Sequence, residues 1–323
     1  MPTAILAREL TRTFKTKAGP VEAVRGISFN IEEGALVAFL GPNGAGKSTA
    51  TRMLTTLLPP TSGGAVIAGH DMARDPAAVR RKIGYVGQGT SSGPYHRVLD
   101  ELLVQGAAQR MDRAAAKKRA AELLAMLELD GLEKRDCSSL SGGQKRRLDV
   151  ALGLMHTPSI LFLDEPTTGL DPHSRANLWE HITRLRKQTG MTIFLTTHYL
   201  DEADSMAERV MVMDGGRIIA DDTPEALKAS LGGDTLELRF AAPAEANAAA
   251  SLAANVETAR DIAATDNILR FTAANGEALL PRFIRETGAA GIEVGAATVK
   301  RPTLDNVFLN LTGRSLRDAA AAA

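Results

Sequence analysis

"ALVAFLGPNGAGKST", residues 35–49, decides how the rest of this 323-residue chain is read. Six apolar residues in a row suit a strand buried on both faces. The run breaks into a glycine-rich loop and resumes as "ATRML" at helical spacing. The loop matches Gly-x4-Gly-Lys-Ser, and a strand before with a helix after is the context that pattern needs. Gly41, Gly44 and Gly46 let backbone N–H groups face phosphate oxygens without a Cβ in the way. Pro42, Asn43, Ala45 and Thr49 complete the cradle. Lys47 supplies a mobile cation for terminal phosphates, and Ser48 offers a hydroxyl to a divalent metal ion.

Outward from this loop, two further apolar runs end on polar residues. "ILFLDEP", 160–166, carries Asp164 and Glu165 where proline stops the strand. Ligands of open α/β sheets bind outside the carboxyl ends of their strands. Asp164 is expected to hold Mg²⁺ through water, and Glu165 to act as general base toward an attacking water. "TIFLTTH" ends on His198, which is either a structural histidine or, from its place on the same rim, the expected γ-phosphate sensor that orients Glu165. Gln88 follows "IGYVG" and can reach the metal or the water. These features imply a nucleoside triphosphate site.

"CSSLSGGQKRRLDVALGL", 137–154, is a helix with an odd start. Leu148, Ala151, Leu152 and Met155 share a face, with Lys145, Arg146 and Asp149 elsewhere. Ser141 is a good N-cap, but Gly142 and Gly143 in the first turn cost roughly 1 kcal/mol each against alanine. Bare backbone at the positive end of a helix invites an anion.

The order of these motifs resembles the ATP-binding subunit of ABC transporters over residues 3–230. "GPNGAGKST" stands as Walker A, Gln88 as the Q-loop, "LSGGQ" 140–144 as the signature, "ILFLDEP" as Walker B, "TTGLDP" 167–172 as the D-loop and His198 as the switch histidine. Phe14 stands where an adenine-stacking aromatic would be, or is a core residue. The resemblance implies a homodimer in which Ser141, Gly142, Gly143 and Gln144 face ATP held by the other subunit, with Asp171 at the same interface. It implies ATP and Mg²⁺ as cofactors and a permease on a separate chain. The ending "RPTLDNVFLNLTGRSLRD" looks like drug-resistance exporters of the daunorubicin type, which implies export of a drug or another hydrophobic compound, lipid or glycan. Residues 89–101, "GTSSGPYHRVLDE", depart from the usual wording, with Glu101 the candidate substitute for a familiar glutamate.

The expected fold is an α/β P-loop ABC-type domain, 1–232, with a mixed sheet, an antiparallel β subdomain and a helical subdomain at about 90–157. The helix after the phosphate loop is expected to run to about Leu58, and residues 64–88 to form short strands with turns. A small α+β domain is expected at 233–314 and a disordered tail at 315–323. Strands are expected there at "TLELRF", "ILRFTA" and "GIEVGAATVK", and helices at "ALLPRFIRETG" and "TLDNVFLNLTG". Lysine plus arginine equals aspartate plus glutamate at 38 each, which argues against nucleic acid as a partner. The alternative is a non-transport ATPase of DNA maintenance or of the ribosome. The first type carries long coiled-coil arms between phosphate loop and signature, the second two heads per chain; neither is present. One cysteine, Cys137, fits a reducing compartment. No signal peptide or membrane span is read, and the expected place is the cytoplasmic face of the cell membrane, held by the permease.

Overall fold

The computed structural model describes residues 2–17, 19–93 and 95–313, and the expected disordered tail lies outside them. The described residues form two compact units, one up to Asp221 and one from Asp222 onward. The division falls at Asp221/Asp222 rather than at 232/233, because a helix at Pro224–Ala229 packs on the helix Leu304–Thr312.

The first unit holds two sheets. Strands β1 (Thr3–Thr16), β2 (Gly19–Glu32), β4 (Ser62–Ile67) and β5 (His70–Asp71) form an antiparallel sheet in the order β2-β1-β4-β5. Strands β3 (Leu36–Leu40), β6 (Ile83–Val86), β7 (Ile160–Asp164), β8 (Thr192–Thr197), β9 (Arg209–Asp214) and β10 (Arg217–Asp222) form the second, in the order β10-β9-β3-β8-β7-β6. From β9 to β6 neighbouring strands run parallel. All residues of β3, β7 and β8 are buried, the pattern of strands covered on both faces. Phe29 of β2 lies 5.9 Å from Phe39 of β3, and Phe194 of β8 lies 5.3 Å from Phe39 and 5.4 Å from Phe162 of β7. This aromatic row joins the two sheets through one core.

Register places the chemistry. Leu40 pairs with Thr197, and Asp164 with Thr196, so β3, β8 and β7 end on one rim. The phosphate loop, Glu165 and His198 are the residues that follow those ends.

Helix α1 (Lys47–Leu54) leaves the loop and stops at Leu54 rather than near Leu58, with Thr56 in left-handed geometry ahead of Pro59-Pro60. A helix that the strand reading of 64–88 missed, α2, spans Pro76–Lys82. Its signal was present: Asp75 accepts from the Ala78 amide as N-cap, proline opens the first turn and basic residues close the last. Between β6 and β7 stand α3 (Val98–Ala108), α4 (Arg113–Met126) and α5 (Gly142–Leu154); α6 (Pro172–Thr189) and α7 (Leu200–Met206) flank β8.

The second unit begins with α8 (Pro224–Ala229) and ends with α11 (Leu304–Thr312). Between them β11 (Asp234–Arg239), α9 (Pro243–Ala253), β12 (Arg260–Thr265), β13 (Ile268–Ala273), α10 (Gly276–Ala289) and β14 (Ala296–Lys300) make a β-α-β-β-α-β unit, strand order β12-β13-β11-β14, every pair antiparallel. Ala246, Ala249 and Ala253 of α9 and Phe283 of α10 close its core over Leu236, Leu238 and Phe271. Sequence reading missed α9 and β12, whose alanine-rich segments offer little contrast between faces. Among the described residues no helix is long and apolar enough to cross a membrane.

Candidate active site

The phosphate loop is shaped by close backbone approaches. A Cβ on Gly41 would stand 2.2 Å from the Met213 carbonyl oxygen, and one on Gly46 2.3 Å from that of Ala23. Gly46 also has φ +105 and Gly44 φ +79. Two glycines expected only to clear space for phosphate thus also let β2 and the end of β9 brace the loop. The Gly216 amide adds a hydrogen bond to the Ala45 carbonyl, 3.0 Å. The loop lines a cavity of about 530 Å³ with residues 43–49, Ala23, Gln88 and Glu165 on its walls.

Lys47 is 4% exposed and tethered rather than mobile. Its Nζ donates to the carbonyls of Gly41 (2.7 Å) and Pro42 (2.9 Å) and lies 3.5 Å from Glu165 Oε1. Burial lowers its pKa, against the pull of Glu165 and Asp164. An arriving phosphate therefore competes with held partners.

Ser48, Asp164 and Gln88 come together. Ser48 Oγ donates to Asp164 Oδ1 (3.0 Å) and accepts from Gln88 Nε2 (3.1 Å), while Thr196 Oγ1 donates to the same Asp164 oxygen (2.6 Å). A hydroxyl and a carboxylate, with an amide that presents its nitrogen here and its oxygen once turned, make the kind of set a small hard cation takes beside phosphate oxygens.

Glu165 is buried at the rim with φ +47, a left-handed conformation that costs a non-glycine residue ~1–3 kcal/mol. Its amide donates to the Thr196 carbonyl (3.0 Å) and hydroxyl (3.1 Å). Its Oε2 accepts from Thr168 Oγ1 (3.3 Å) and faces His198 Nδ1 at 3.3 Å. That His198 nitrogen has no aligned hydrogen-bond partner, so the two groups stand close without a formed hydrogen bond. Burial pushes the carboxyl up, but His198 and Lys47 outweigh it and hold Glu165 below the ordinary glutamate value. His198 in turn lies against the Tyr199 ring, 4.2 Å between centroids, with the Arg175 guanidinium 4.0 Å over that ring.

Ser141, Gly142, Gly143, Gln144, Asp171 and Phe14 are not among the walls of this cavity. Ser141 caps α5, with Gln144 completing a capping box. A Cβ on Gly143 would meet Ser174 Oγ at 2.8 Å, so that glycine is required within the chain. Gly142 instead is exposed, and a Cβ there would meet Leu170 Cδ2 only at 4.0 Å, an ordinary contact. Asp171 caps α6, accepting from the Ser174 amide (2.9 Å) and hydroxyl (2.6 Å); the hydroxyl bond first, then the amide, holds its carboxyl below the usual range. Phe14 is half-buried on β1 under the Arg12 guanidinium, 4.7 Å from the ring centre. Glu101 holds its own loop, accepting from the Gly93 amide at 2.7 Å and standing 2.7 Å from His96 Nδ1.

Sequence reading set Arg146 and Asp149 off the apolar face of α5 and gave them no role. They are buried, 7% and 3% exposed, because α5 packs against α3, α4, α6 and β6 rather than presenting a polar face to water. Glu202 was missed as well: it is buried and accepts from Thr167 on one side of the rim and Thr197 (2.9 Å) on the other.

A phosphate loop between a buried strand and a helix, with a carboxylate pair and a histidine on the adjoining strand ends, defines a nucleoside triphosphatase of the P-loop class. Residues 24–168 match the family described as ABC transporter. The chain is 42% identical to the daunorubicin/doxorubicin resistance ATP-binding protein of Streptomyces peucetius, over 92% of this chain and 89% of that one. It is 34% identical to the Nod factor export ATP-binding protein I of Burkholderia lata, over 95% and 97%. A solved dimer of an ATP-binding cassette in a post-hydrolysis state with ADP and Pi superposes with TM-score 0.63 at 28% identity, covering 68% of this chain and 98% of that one. The chain belongs to the ABC transporter family, as an ATP-binding subunit that hydrolyses ATP.

Proposed function

We propose that two copies of this chain close on ATP and drive export through a membrane permease carried on a separate chain, at the cytoplasmic face of the cell membrane. The observation that supports this best is the division of the site. Residues 43–49, Gln88 and Glu165 share one cavity, with His198 3.3 Å behind Glu165, whereas Ser141-Gly142 is exposed and built bare outside it. A helix start of that kind suits the γ-phosphate of ATP held by the other copy.

The roles follow from the contacts. Residues 43–49 bind phosphate oxygens through backbone N–H groups. Ser48, Gln88 and Asp164 fit Mg²⁺, which when bound neutralises phosphate charge. Lys47 exchanges its loop carbonyls for phosphate oxygens. Water attacks the γ-phosphorus, Glu165 takes its proton, and ADP leaves with inorganic phosphate as the other product. Departure of Lys47 toward phosphate removes one of the groups that depress the Glu165 carboxyl. ATP must bind the closed dimer better than the open one, and the permease couples to that difference. Asp171 lies on the dimer face in this reading, and Phe14 stacks on adenine once Arg12 moves aside.

The cargo is a drug or other hydrophobic compound, lipid or glycan. Relatives bearing both antibiotic-resistance and Nod factor export names support a range rather than one compound. Solubilised membranes of the source cell, fractionated on tagged full-length chain, test the reading. It expects an integral membrane protein to co-purify; ribosomes or DNA instead would sink it.

A further inference from the structure

We propose that Arg146 is a positioning residue for ATP hydrolysis, holding the main chain that carries Glu165 in register with the signature helix and the Gln88 loop. The inference rests on the reading of Glu165 as the base.

The guanidinium binds main chain from two segments. Nε donates to the Pro166 carbonyl (2.6 Å), Nη1 to that of Gly87 (2.7 Å), and Nη2 to those of Asp164 and Glu165 (3.4 Å each). Every one of these acceptors is backbone, so the contact fixes the path of residues 164–166 rather than any side chain. It matters at this place because Glu165 sits at φ +47. Such a residue keeps its conformation only while the surroundings over-determine it. Thr196 holds the amide side of Glu165, and Arg146 holds the carbonyl side.

The clamp extends further. Asp149, one turn along α5, lies 3.7 Å from Arg146 Nη1 and accepts from the Ser91 amide at 2.8 Å. Gly87 and Ser91 bracket Gln88, so one buried pair grips both ends of the loop that bears it. The same helix begins at Ser141-Gly142, about one turn before Arg146. Whatever seats or tilts the start of α5 is thereby felt at the carbonyls around Glu165. Lysine cannot substitute, since a single ammonium lacks the planar fork that spans several acceptors.

A buried pair that only stabilised the fold would lower melting temperature and leave the chemistry of the folded fraction alone. A positioning residue instead loses its effect when the group it positions is removed. Four full-length proteins separate these: the wild type, Arg146→Gln, Glu165→Gln and the double variant, each measured for ATP affinity and for single-turnover hydrolysis with Mg-ATP. With Glu165 present, Arg146→Gln is expected to slow hydrolysis by about tenfold or more while ATP affinity changes less than about threefold. With Glu165→Gln, adding Arg146→Gln is expected to change the residual rate less than about twofold. Equal losses in both backgrounds, or affinity falling in step with rate, would overturn the proposal. Arg146→Lys is read the same way if Arg146→Gln does not fold, and failure of both to fold would make Arg146 a folding residue and overturn it too. If Glu165→Gln alone leaves hydrolysis intact, the base assignment fails; if it stops hydrolysis and Arg146→Gln does not slow it, only the present inference fails.

Discussion

Gly46→Ala is the substitution that most directly tests how the phosphate loop is held. Two costs arise. Alanine at φ +105 is in a region L-residues avoid, at about 1–3 kcal/mol. Its Cβ would also lie 2.3 Å from the Ala23 carbonyl oxygen, so either the loop or β2 must move, at about 1–3 kcal/mol more. Gly44→Ala is the control for melting, since Gly44 has φ +79 and, without nucleotide, open space around it, so it carries the conformational cost alone. The difference between the two variants isolates the close approach: about 1–3 kcal/mol, or about 2–12 °C in melting temperature for a domain of this size. If the displaced loop must be restored before ATP binds, affinity falls by a further factor of about 5–150. Circular dichroism melts and titration calorimetry with Mg-ATP measure both. Equal melting temperatures for the two variants would refute the bracing of the loop by β2.

Lys47→Ala should abolish useful ATP binding, because among the cavity walls Lys47 is the cation that faces the phosphate loop; nucleotide titration with Mg-ATP checks this, and unchanged affinity would remove Lys47 from the site. His198→Ala should move the acid limb of the residual hydrolysis rate to higher pH. His198 holds the Glu165 carboxyl below its ordinary value, activity needs the ionised form, and removing the imidazole lets that carboxyl titrate higher. The stability sign agrees. A depressed carboxyl contributes stability above its unfolded value and loses it as pH falls through the folded one, so the variant should have less such stability to lose in acid. A pH–rate profile and acid melts check this, and an unmoved acid limb would count against the contact.

The phosphate loop, the Asp164-Glu165 pair and His198 were legible because their identity is local: each is a short run at the end of an apolar strand, and strand register does the rest. The reasons for two of the glycines were not legible. Gly41 and Gly46 face Met213 and Ala23, which are distant in sequence, and only the fold brings those carbonyls close. The burial of Arg146 and Asp149 was not legible for a related reason. A polar residue one position off an apolar stripe is exposed on a helix with one covered face, but α5 is covered on several. Helix α2 was readable from Asp75-Pro76 and its basic last turn, and was lost by giving more weight to the apolar strand pattern around it. The alanine-rich α9 offered no such cap: Ala242 precedes it without a side-chain hydrogen bond.

The shared ATP site is the central claim, and Glu165→Gln with Mg-ATP on a sizing column tests it most directly. The change keeps shape and hydrogen bonding at Glu165 but removes the proton acceptor. Phosphate-loop binding, the Asp164 cluster and the exposed Ser141-Gly142 helix start all remain. Hydrolysis, the step that reopens the pair, is what slows. The account predicts that the 34.2 kDa chain elutes as a dimer in Mg-ATP and as a monomer without it. It also predicts that adding Ser141→Arg, which fills the space beside exposed Gly142, restores the monomer. A Glu165→Gln chain that binds Mg-ATP yet stays monomeric, or a dimer indifferent to Ser141→Arg, would contradict it.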